Sequence, residues 1–294
     1  MSPDLPTTAN PPPPPALAAG LYVVATPIGN LRDITLRALD VLKGAALVLC
    51  EDTRVTAKLM SHFGLTAPLA AYHDHNAERV RPKVLAALAR GDAVALVSDA
   101  GTPLISDPGY KLVRAARAEG HEVFAVPGAS SVTAALSIAG LPTDRFLFLG
   151  FLPPKTTARR RALGEVAGLA ASLVVLEAPA RLAATLADMA DILGPREATV
   201  ARELTKLYEE VRRAPLGELA AHYAAEGPPK GEIVIVVGPG DVRAAHDDEV
   251  TQALERGLAG GMSLKDAVDA VTAETGRARR EVYALALALK APAS

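Results

Sequence analysis

The chain has 294 residues, half of them hydrophobic, and a formal net charge of −2. This length allows two domains of ordinary size, and no apolar run approaches the roughly 20 residues that a membrane helix requires. Because no overall basic excess exists, any contact with nucleic acid must come from local clusters of positive charge.

The first 19 residues contain five consecutive prolines. They lack the basic start and continuous apolar centre of a secretory signal, and proline supplies no backbone N–H. We therefore expect residues 1–19 to be a disordered lead-in. The single cysteine, Cys50, lies in an apolar run and is expected to be buried. One cysteine cannot form a disulfide within the chain, which is the usual situation for proteins of the reducing cytoplasm.

Short apolar segments alternate with helical segments along most of the chain. The predicted strands are Leu21–Ala25, Ala45–Glu51, Ala93–Ser98, Glu122–Val126, Phe146–Phe151, Ser172–Glu177, Ala198–Glu203 and Glu232–Val237. The predicted helices are Thr35–Lys43, Val80–Ala89, Tyr110–Glu119, Ser131–Ala139, Arg159–Leu169, Arg181–Leu193 and Leu216–Ala225. Several strands are apolar throughout, which is typical of sheets covered on both faces. The alternation predicts an α/β fold.

Two segments rich in proline or glycine indicate domain boundaries. Gly150–Lys155 contains two adjacent prolines and is the predicted linker, while Gly238–Asp247 follows the last strand. We therefore predict an N-terminal α/β domain over residues 20–150, a C-terminal α/β domain over residues 151–240 and a helical tail over residues 241–294.

The tail carries its own helix signals. Ser263 and Asp266 have the spacing of a capping box, and Gly276 is placed where a helix would end. Arg277–Leu289 then carries apolar residues on one face of a second helix. We predict a small helical hairpin.

One long loop stands out as a candidate ligand site. Small and turn-forming residues fill the segment from Val97 to Gly109, directly after a buried strand. Such a loop exposes backbone amides, and ligands of α/β sheets bind beyond the carboxyl ends of strands. Similar segments flank four other strands, at Ala25–Asn30, Val126–Ser131, Glu177–Pro179 and Gly227–Glu232. Together they predict a cleft for a small ligand with a polar head and a flat base, although each alone is typical of a surface loop.

Several common sites are unsupported. The chain has no P-loop motif, and no Gly-x-Gly-x-x-Gly follows the first strand, so the usual dinucleotide-binding and methyltransferase folds are disfavoured. It also lacks His-Glu-x-x-His and paired cysteines. His73–His75 is compatible with a metal ligand set or with a solvated loop, and we expect no metal centre.

Five ordered motifs resemble the ribosomal RNA small-subunit methyltransferase I family of the tetrapyrrole methylase superfamily. They are Ala25–Thr35, Cys50–Arg54, Ser98–Gly109, Gly150–Lys155 and Ala201–Lys206, and Lys230–Glu232 closes the match. The resemblance implies two α/β domains with an S-adenosylmethionine cleft between them, joined near Gly150–Pro154. It further implies a homodimer that methylates the 2′-hydroxyl of a cytidine in small-subunit ribosomal RNA, either naked or in the assembled subunit.

The resemblance also implies roles for residues in these motifs. The expected contacts to S-adenosylmethionine are Pro27, Ser98, Asp99, Ala100, Gly101, Leu104, Ile105, Ser130, Ser131, Ala178 and Gly231. Many relatives have Pro-His-Arg where this chain has Pro179–Arg181, so no catalytic role is assigned there.

The expected catalytic pair is Glu203 and Lys206, which lie in a polar segment at the end of an apolar strand. A ribose hydroxyl is a weak acid, so a proton acceptor or a stabilising cation would assist its reaction. Asp99 and Asp107 are alternative acids, and Lys155 is an alternative cation. The pair is also compatible with an ordinary surface ion pair.

Two basic clusters are candidate contacts to RNA phosphates, or else solvated helix faces. The candidate contacts are Lys155, Arg159, Arg160, Arg161, Arg279 and Arg280. With 5 Phe, 6 Tyr and no Trp, no platform for stacking single-stranded bases is evident. The basic clusters and the Arg202–Lys206 motif favour RNA over one alternative acceptor, a porphyrin-like small molecule. The residues of the candidate donor loop argue against a second alternative, a non-catalytic RNA-binding factor.

Overall fold

The computed structural model describes residues 17–240, 247–275 and 277–290. The strands within them are β1 (Gly20–Val24), β2 (Leu47–Cys50), β3 (Leu69–Ala71), β4 (Ala93–Val97), β5 (Val123–Val126), β6 (Phe146–Phe151), β7 (Ser172–Glu177), β8 (Glu197–Arg202), β9 (Glu210–Pro215) and β10 (Ile233–Val237). The helices are α1 (Leu36–Gly44), α2 (Thr53–His62), α3 (Ala77–Ala89), α4 (Tyr110–Ala118), α5 (Ser131–Ile138), α6 (Thr156–Val166), α7 (Leu182–Leu193), α8 (Leu216–Glu226), α9 (Asp247–Ala259), α10 (Leu264–Thr275) and α11 (Arg279–Lys290). Most of the predicted lead-in, residues 241–246 and Gly276 lie outside the described residues.

The first sheet is parallel throughout, in the order β3-β2-β4-β1-β5. Its strands are apolar on both faces because helices cover both. One face packs against α1, with Val24 and Val48 in the shared core. The other packs against α3 and α4, with Leu49 and Leu96 in the shared core. This is the arrangement that continuous apolar strands predict.

The connections that follow β1 and β4 run in opposite directions across this sheet. It leaves β1 towards β2 on one side and leaves β4 towards β5 on the other. The two strands are paired in register, with Val24 opposite Val97, so the loops that follow them begin side by side. Such a reversal opens a crevice beyond the carboxyl ends of the strands, where α/β proteins bind ligands.

The second sheet has the order β6-β7-β10-β8-β9, with only the β6–β7 pair parallel. Helices α6, α7 and α8 cover one face. The other face is covered by α5, whose Val132, Ala135 and Leu136 pack against strand residues such as Val174 and Val234. Because α5 follows the last strand of the first sheet, this packing joins the two domains directly.

The predicted boundary at residue 150 is wrong by one strand. Strand β6 pairs with β7 in the second sheet, so the chain changes sheets between α5 and β6. Gly150, with a φ of +63°, lies within β6 next to an irregularity in its pairing with β7. The proline pair therefore follows strand β6 and does not mark the domain boundary. Which sheet a strand joins depends on partners that are distant in sequence, and local sequence does not identify them.

Four elements were not predicted, namely β3, α2, β9 and α9. The predicted hairpin of the tail is present as α10 and α11, and the Ser263 hydroxyl accepts a hydrogen bond from the Asp266 amide at 3.1 Å. Helix α9 packs against both, with Val250 and Leu254 in a shared core with Val268. The tail is thus a three-helix unit. Among the described residues, no helix combines the length and apolar character needed to cross a membrane.

Candidate active site at the domain interface

A cavity of about 320 Å³ lies where the two domains meet, and we call it the interdomain cleft. The first domain contributes the loops after β1 and β4 and one face of α2, and the second domain contributes two charged side chains. Its wall includes Thr26, Pro27, Ile28, Val55, Leu59, Ser98, Asp99, Ala100, Lys206 and Glu232. The wall therefore combines apolar surface with Asp99 and Lys58 from the first domain and a lysine–glutamate pair from the second.

The loops after β1 and β4 are fastened to each other at the base of the cleft. The amides of Thr26 and Gly101 each donate to the other's carbonyl, at 2.9 and 3.1 Å. The Ser98 hydroxyl also donates to the Gly101 carbonyl at 3.0 Å, and Thr102 donates to the Ala129 carbonyl at 3.2 Å. Gly101 has a φ of +83°, which favours glycine. These bonds hold three strand-end loops together as one rigid base.

Lys206 brings a positive charge into the cleft from the opposite side. Its Nζ lies 2.8 Å from Glu203 Oε1 and 3.1 Å from Glu232 Oε2. The hydrogen bond from Lys206 lowers the pKa of Glu203. Burial lowers the pKa of Lys206, but its bonds to both glutamates outweigh burial and raise it overall. At neutral pH Lys206 is thus an ammonium group and Glu203 a carboxylate with little tendency to take a proton.

The turn that carries these residues has an uncommon backbone. Glu203 and Thr205 have φ values of +51° and +65°, in the left-handed region that non-glycine residues rarely occupy. The Asn30 amide donates to Thr205 Oγ1 at 3.1 Å, and the Thr205 amide donates to Glu209 Oε2 at 2.6 Å. A Cβ on Gly231 would overlap the Glu203 carboxylate. Unusual backbone held this firmly is typical of functional sites.

A second cavity of about 480 Å³, here called the acidic pocket, lies on the other side of the loop that follows β4. Its wall includes Glu51, Tyr72, Asp74, Ser106, Asp107 and Tyr110. Burial raises the pKa of Asp107 to about 6, with a further increase from the charges of Glu51 and Asp99 and an opposing effect of a hydrogen bond to Ser98. Among the acids suggested by the sequence, Asp107 is therefore a better proton acceptor near neutral pH than Glu203.

The structure brings only some of the predicted donor contacts together. Those that line the interdomain cleft are Pro27, Ser98, Asp99 and Ala100. Gly101 lies in its base, and Ser130 and Ser131 follow the tethered Ala129. The remaining predicted contacts, Leu104, Ile105, Ala178 and Gly231, are outside its wall.

Each of these four has another environment. Leu104 packs into the core of the first domain, and Ile105 is exposed. Gly231 faces Glu203, and the Ala178 amide donates to Glu177. Two contributors to the cleft, Glu232 and helix α2, were not predicted from the sequence. The signal for α2 was present, since Val55, Leu59 and Met60 have the spacing of one helix face.

The first basic cluster divides between the core and the surface. Arg159 is only 4% exposed, and its guanidinium binds the Asp188 carboxylate at 2.6–2.7 Å, so its prediction as an RNA contact is wrong. Arg160 binds Asp188 and Asp191 at 2.9 Å. Lys155 and Arg161 are exposed. Successive arginines point to different sides of α6, since a helix turns by about 100° per residue.

The second basic cluster also contains one arginine in an ion pair and one that is exposed. Arg279 binds Asp269 at 2.7 Å, and Arg280 is exposed.

Within the described parts of the chain, no group of three or more His, Cys, Asp or Glu side chains is placed to hold a metal ion.

The fold and the cleft define a tetrapyrrole (corrin/porphyrin) methylase, whose family model matches residues 20–220. A second model, the RsmI C-terminal HTH domain, matches residues 244–290. With the relatives described next, these matches show that the chain belongs to the ribosomal RNA small subunit methyltransferase I family, as the motifs predicted.

Several proteins named ribosomal RNA small subunit methyltransferase I are similar along most of their length. The one from Mesorhizobium japonicum is 47% identical over 275 residues, or 93% of each chain. The one from Halalkalibacterium halodurans is 44% identical over 270 residues, covering 90% of this chain and 93% of the relative. The one from Pseudomonas aeruginosa is 51% identical over 222 residues, covering 75% and 79%.

Solved structures of more distant proteins share the fold. Cobalt precorrin-4 methyltransferase has a TM-score of 0.56 and 20% identity, covering 74% of this chain and 94% of that one. Uroporphyrin-III C-methyltransferase from Thermus thermophilus, complexed with S-adenyl homocysteine, has a TM-score of 0.53 and 22% identity, covering 74% and 97%. At these identities the likeness concerns the fold alone.

Proposed function

We infer that the protein transfers a methyl group from S-adenosylmethionine to the 2′-hydroxyl of a cytidine in small-subunit ribosomal RNA. The family to which the chain belongs supports this inference. The structural observation that carries it is the meeting of Lys206 with the Ser98–Ala100 loop in one cleft. That arrangement combines a site for a small cationic ligand with a fixed positive charge for the acceptor oxygen.

The residues of the interdomain cleft fit the methyl donor. S-adenosylmethionine supplies a methyl group activated by a positively charged sulfur. The Asp99 carboxylate offers a charge of opposite sign, and Ile28, Val55 and Leu59 offer apolar surface for a flat ring. The close approach of the loop at Gly101 suits recognition by main-chain groups. We propose the cleft-lining contacts, with Gly101 beneath them, as the donor site.

As the new O–C bond forms, the bond between the methyl carbon and sulfur breaks, the donor leaves as the neutral thioether S-adenosylhomocysteine, and the acceptor hydroxyl loses its proton. We propose that the Lys206 ammonium stabilises the negative charge that develops on this oxygen, a task that favours a fixed and already charged group. Glu203 and Glu232 hold Lys206 in place, so Glu203 is a positioning residue. The lowered pKa of Glu203 makes it a poor proton acceptor. We propose Asp107, through solvent, as the acceptor of the proton.

The decisive experiment supplies the purified protein with small ribosomal subunits that lack the modification and with methyl-labelled S-adenosylmethionine. Mapping of the labelled RNA is expected to show one 2′-O-methylated cytidine. If the protein binds the donor in calorimetry but labels no RNA, an RNA acceptor is wrong and a small-molecule acceptor becomes the better candidate. Assaying naked RNA in parallel identifies the preferred form of the substrate.

A donor-site variant tests the cleft itself. In Gly101→Val, the side chain would press on Ile28 and adopt an unfavourable positive φ. We expect calorimetry to show no donor binding for this variant while circular dichroism shows a folded protein. Unchanged affinity would remove this loop from the donor site.

Further properties are proposed from the family resemblance. We propose that the protein acts as a homodimer in the cytoplasm and that the exposed Lys155, Arg161 and Arg280 contact RNA phosphates. Light scattering of the purified protein tests the dimer. Affinity for subunits as a function of salt tests the phosphate contacts, since each lost contact reduces the salt dependence.

A further inference from the structure

The acidic pocket has a lining that suits a hydrogen-bond donor and repels a phosphate. Glu51, Asp74 and Asp107 all contribute carboxylates, while Lys111 is the cation in its wall. Ionised carboxylates can only accept hydrogen bonds. The ligand chemistry that the pocket favours is therefore an amino group or another group rich in N–H bonds.

Tyr72 provides an independent sign of a ligand. This side chain is only 1% exposed, and its ring packs in the core of the first domain. Its hydroxyl is buried and has no hydrogen-bond partner among the described residues, although Tyr72 forms part of the pocket wall. Because a buried polar group is normally hydrogen-bonded, this hydroxyl at the cavity wall is available to bond a group that binds in the pocket.

The acidic pocket and the interdomain cleft share a wall. Ser98 lines the cleft and lies close enough to Asp107, which lines the pocket, to lower the pKa of that carboxyl group. Asp99, also in the cleft, accepts a 3.1 Å hydrogen bond from the amide of Asp52, the residue after Glu51. The two cavities are therefore neighbours at the ends of the same strands.

We propose that the acidic pocket binds the base of the acceptor nucleotide and selects cytosine through its exocyclic amino group. Cytosine presents N–H donors where uracil presents an oxygen acceptor, which the carboxylate of Glu51 would repel. The Tyr72 hydroxyl donates to a ring acceptor of the base. Tyr110, 64% exposed at the rim with Arg114 under its ring, offers a face on which the base stacks.

This inference rests on the proposed function, and its test uses two kinds of small subunit. One kind carries the target cytidine identified by mapping, and the other carries uridine at that position. For the unaltered protein we expect kcat/KM to be at least about 100-fold lower with uridine. The unaltered protein on cytidine subunits tests the proposed function separately, since absence of labelling there contradicts the function and not the pocket alone.

Two variants then test the pocket. Tyr72→Phe removes only a hydroxyl without a partner, so the melting temperature should not fall, while KM for cytidine subunits should rise about three- to tenfold. Glu51→Gln should reduce the preference for cytidine at least about tenfold. Tyr223→Phe is the matched control, because its buried hydroxyl lies in the second domain away from both cavities, and it should leave KM unchanged.

Calorimetry with S-adenosylmethionine distinguishes the other source of an amino group, the methionine part of the donor. We expect Tyr72→Phe and Glu51→Gln to bind the donor as the unaltered protein does. Weaker donor binding in both variants, with an unchanged preference for cytidine, would overturn the proposal in favour of a donor subsite. Unchanged KM, preference and donor affinity would overturn it entirely.

Discussion

The Lys206 ammonium lies 2.8 Å from the Glu203 carboxylate, and this contact fixes the charges of both groups at the mouth of the interdomain cleft. Glu203 in turn accepts a 3.0 Å hydrogen bond from the Glu232 amide. The positive charge is therefore held by the second domain and presented to loops of the first. Neither domain alone would supply both the donor loop and the cation.

Replacement of Lys206 by methionine should lower kcat about 100-fold or more, since it removes the preorganised charge that we propose to stabilise the transition state. Donor affinity in calorimetry should change little. Lys58→Met is a matched control, because Lys58 lines the same cleft from α2. Single-turnover assays on subunits measure the effect, and equal losses in the two variants would contradict a specific role for Lys206.

Gly231→Ala should both destabilise the protein and lower its activity. The new Cβ would overlap Glu203 and would be placed at a φ of +99°. The φ effect alone costs about 1 kcal/mol. Gly64→Ala isolates that effect, since Gly64 has a φ of +65° and a Cβ there would meet no atom within 4 Å. The comparison uses urea unfolding of both variants. Equal changes in unfolding free energy would show that the Glu203 side chain moves away from the new Cβ at little cost.

Asp107→Asn should stabilise the protein at pH 8 and have progressively less effect as the pH falls. The pKa of Asp107 is raised from 3.8 to about 6, so the folded state holds this proton more tightly than the unfolded state. Ionised Asp107 therefore opposes folding, and its penalty develops between about pH 4 and pH 6 and stays constant above. Thermal melts from pH 4 to pH 8 test this, with the exposed Asp144→Asn as control. A difference independent of pH would contradict it.

Asp188→Asn should destabilise the protein by about 3 kcal/mol, because it leaves the buried Arg159 guanidinium without its carboxylate. Arg161→Ala should change the unfolding free energy by less than about 0.5 kcal/mol, since Arg161 is 84% exposed. Arg161→Ala combined with Lys155→Ala should instead weaken binding to subunits at low salt. Weak destabilisation by Asp188→Asn would show that Arg160 or solvent compensates for the lost charge.

The amino-acid sequence by itself determined the α/β class, most of the strands and the loops after β1 and β4 that line the interdomain cleft. Continuous apolar runs such as β4 and β10 are buried on both faces, and glycine, proline and serine after a strand are local signals. The pair of Glu203 and Lys206 was also predicted, because charged residues at the end of an apolar strand are conspicuous. These features depend on residues that are close together in the chain.

Only the tertiary structure decided which sheet receives β6, which arginine of α6 is buried and which acids share a pocket. Strand β6 pairs with β7 in the second sheet, Arg159 meets Asp188 from another helix, and Asp107 meets Glu51 from another strand end. Each of these contacts joins residues far apart in sequence. Local propensity carries no information about such partners, since pairing and packing across the whole chain select them.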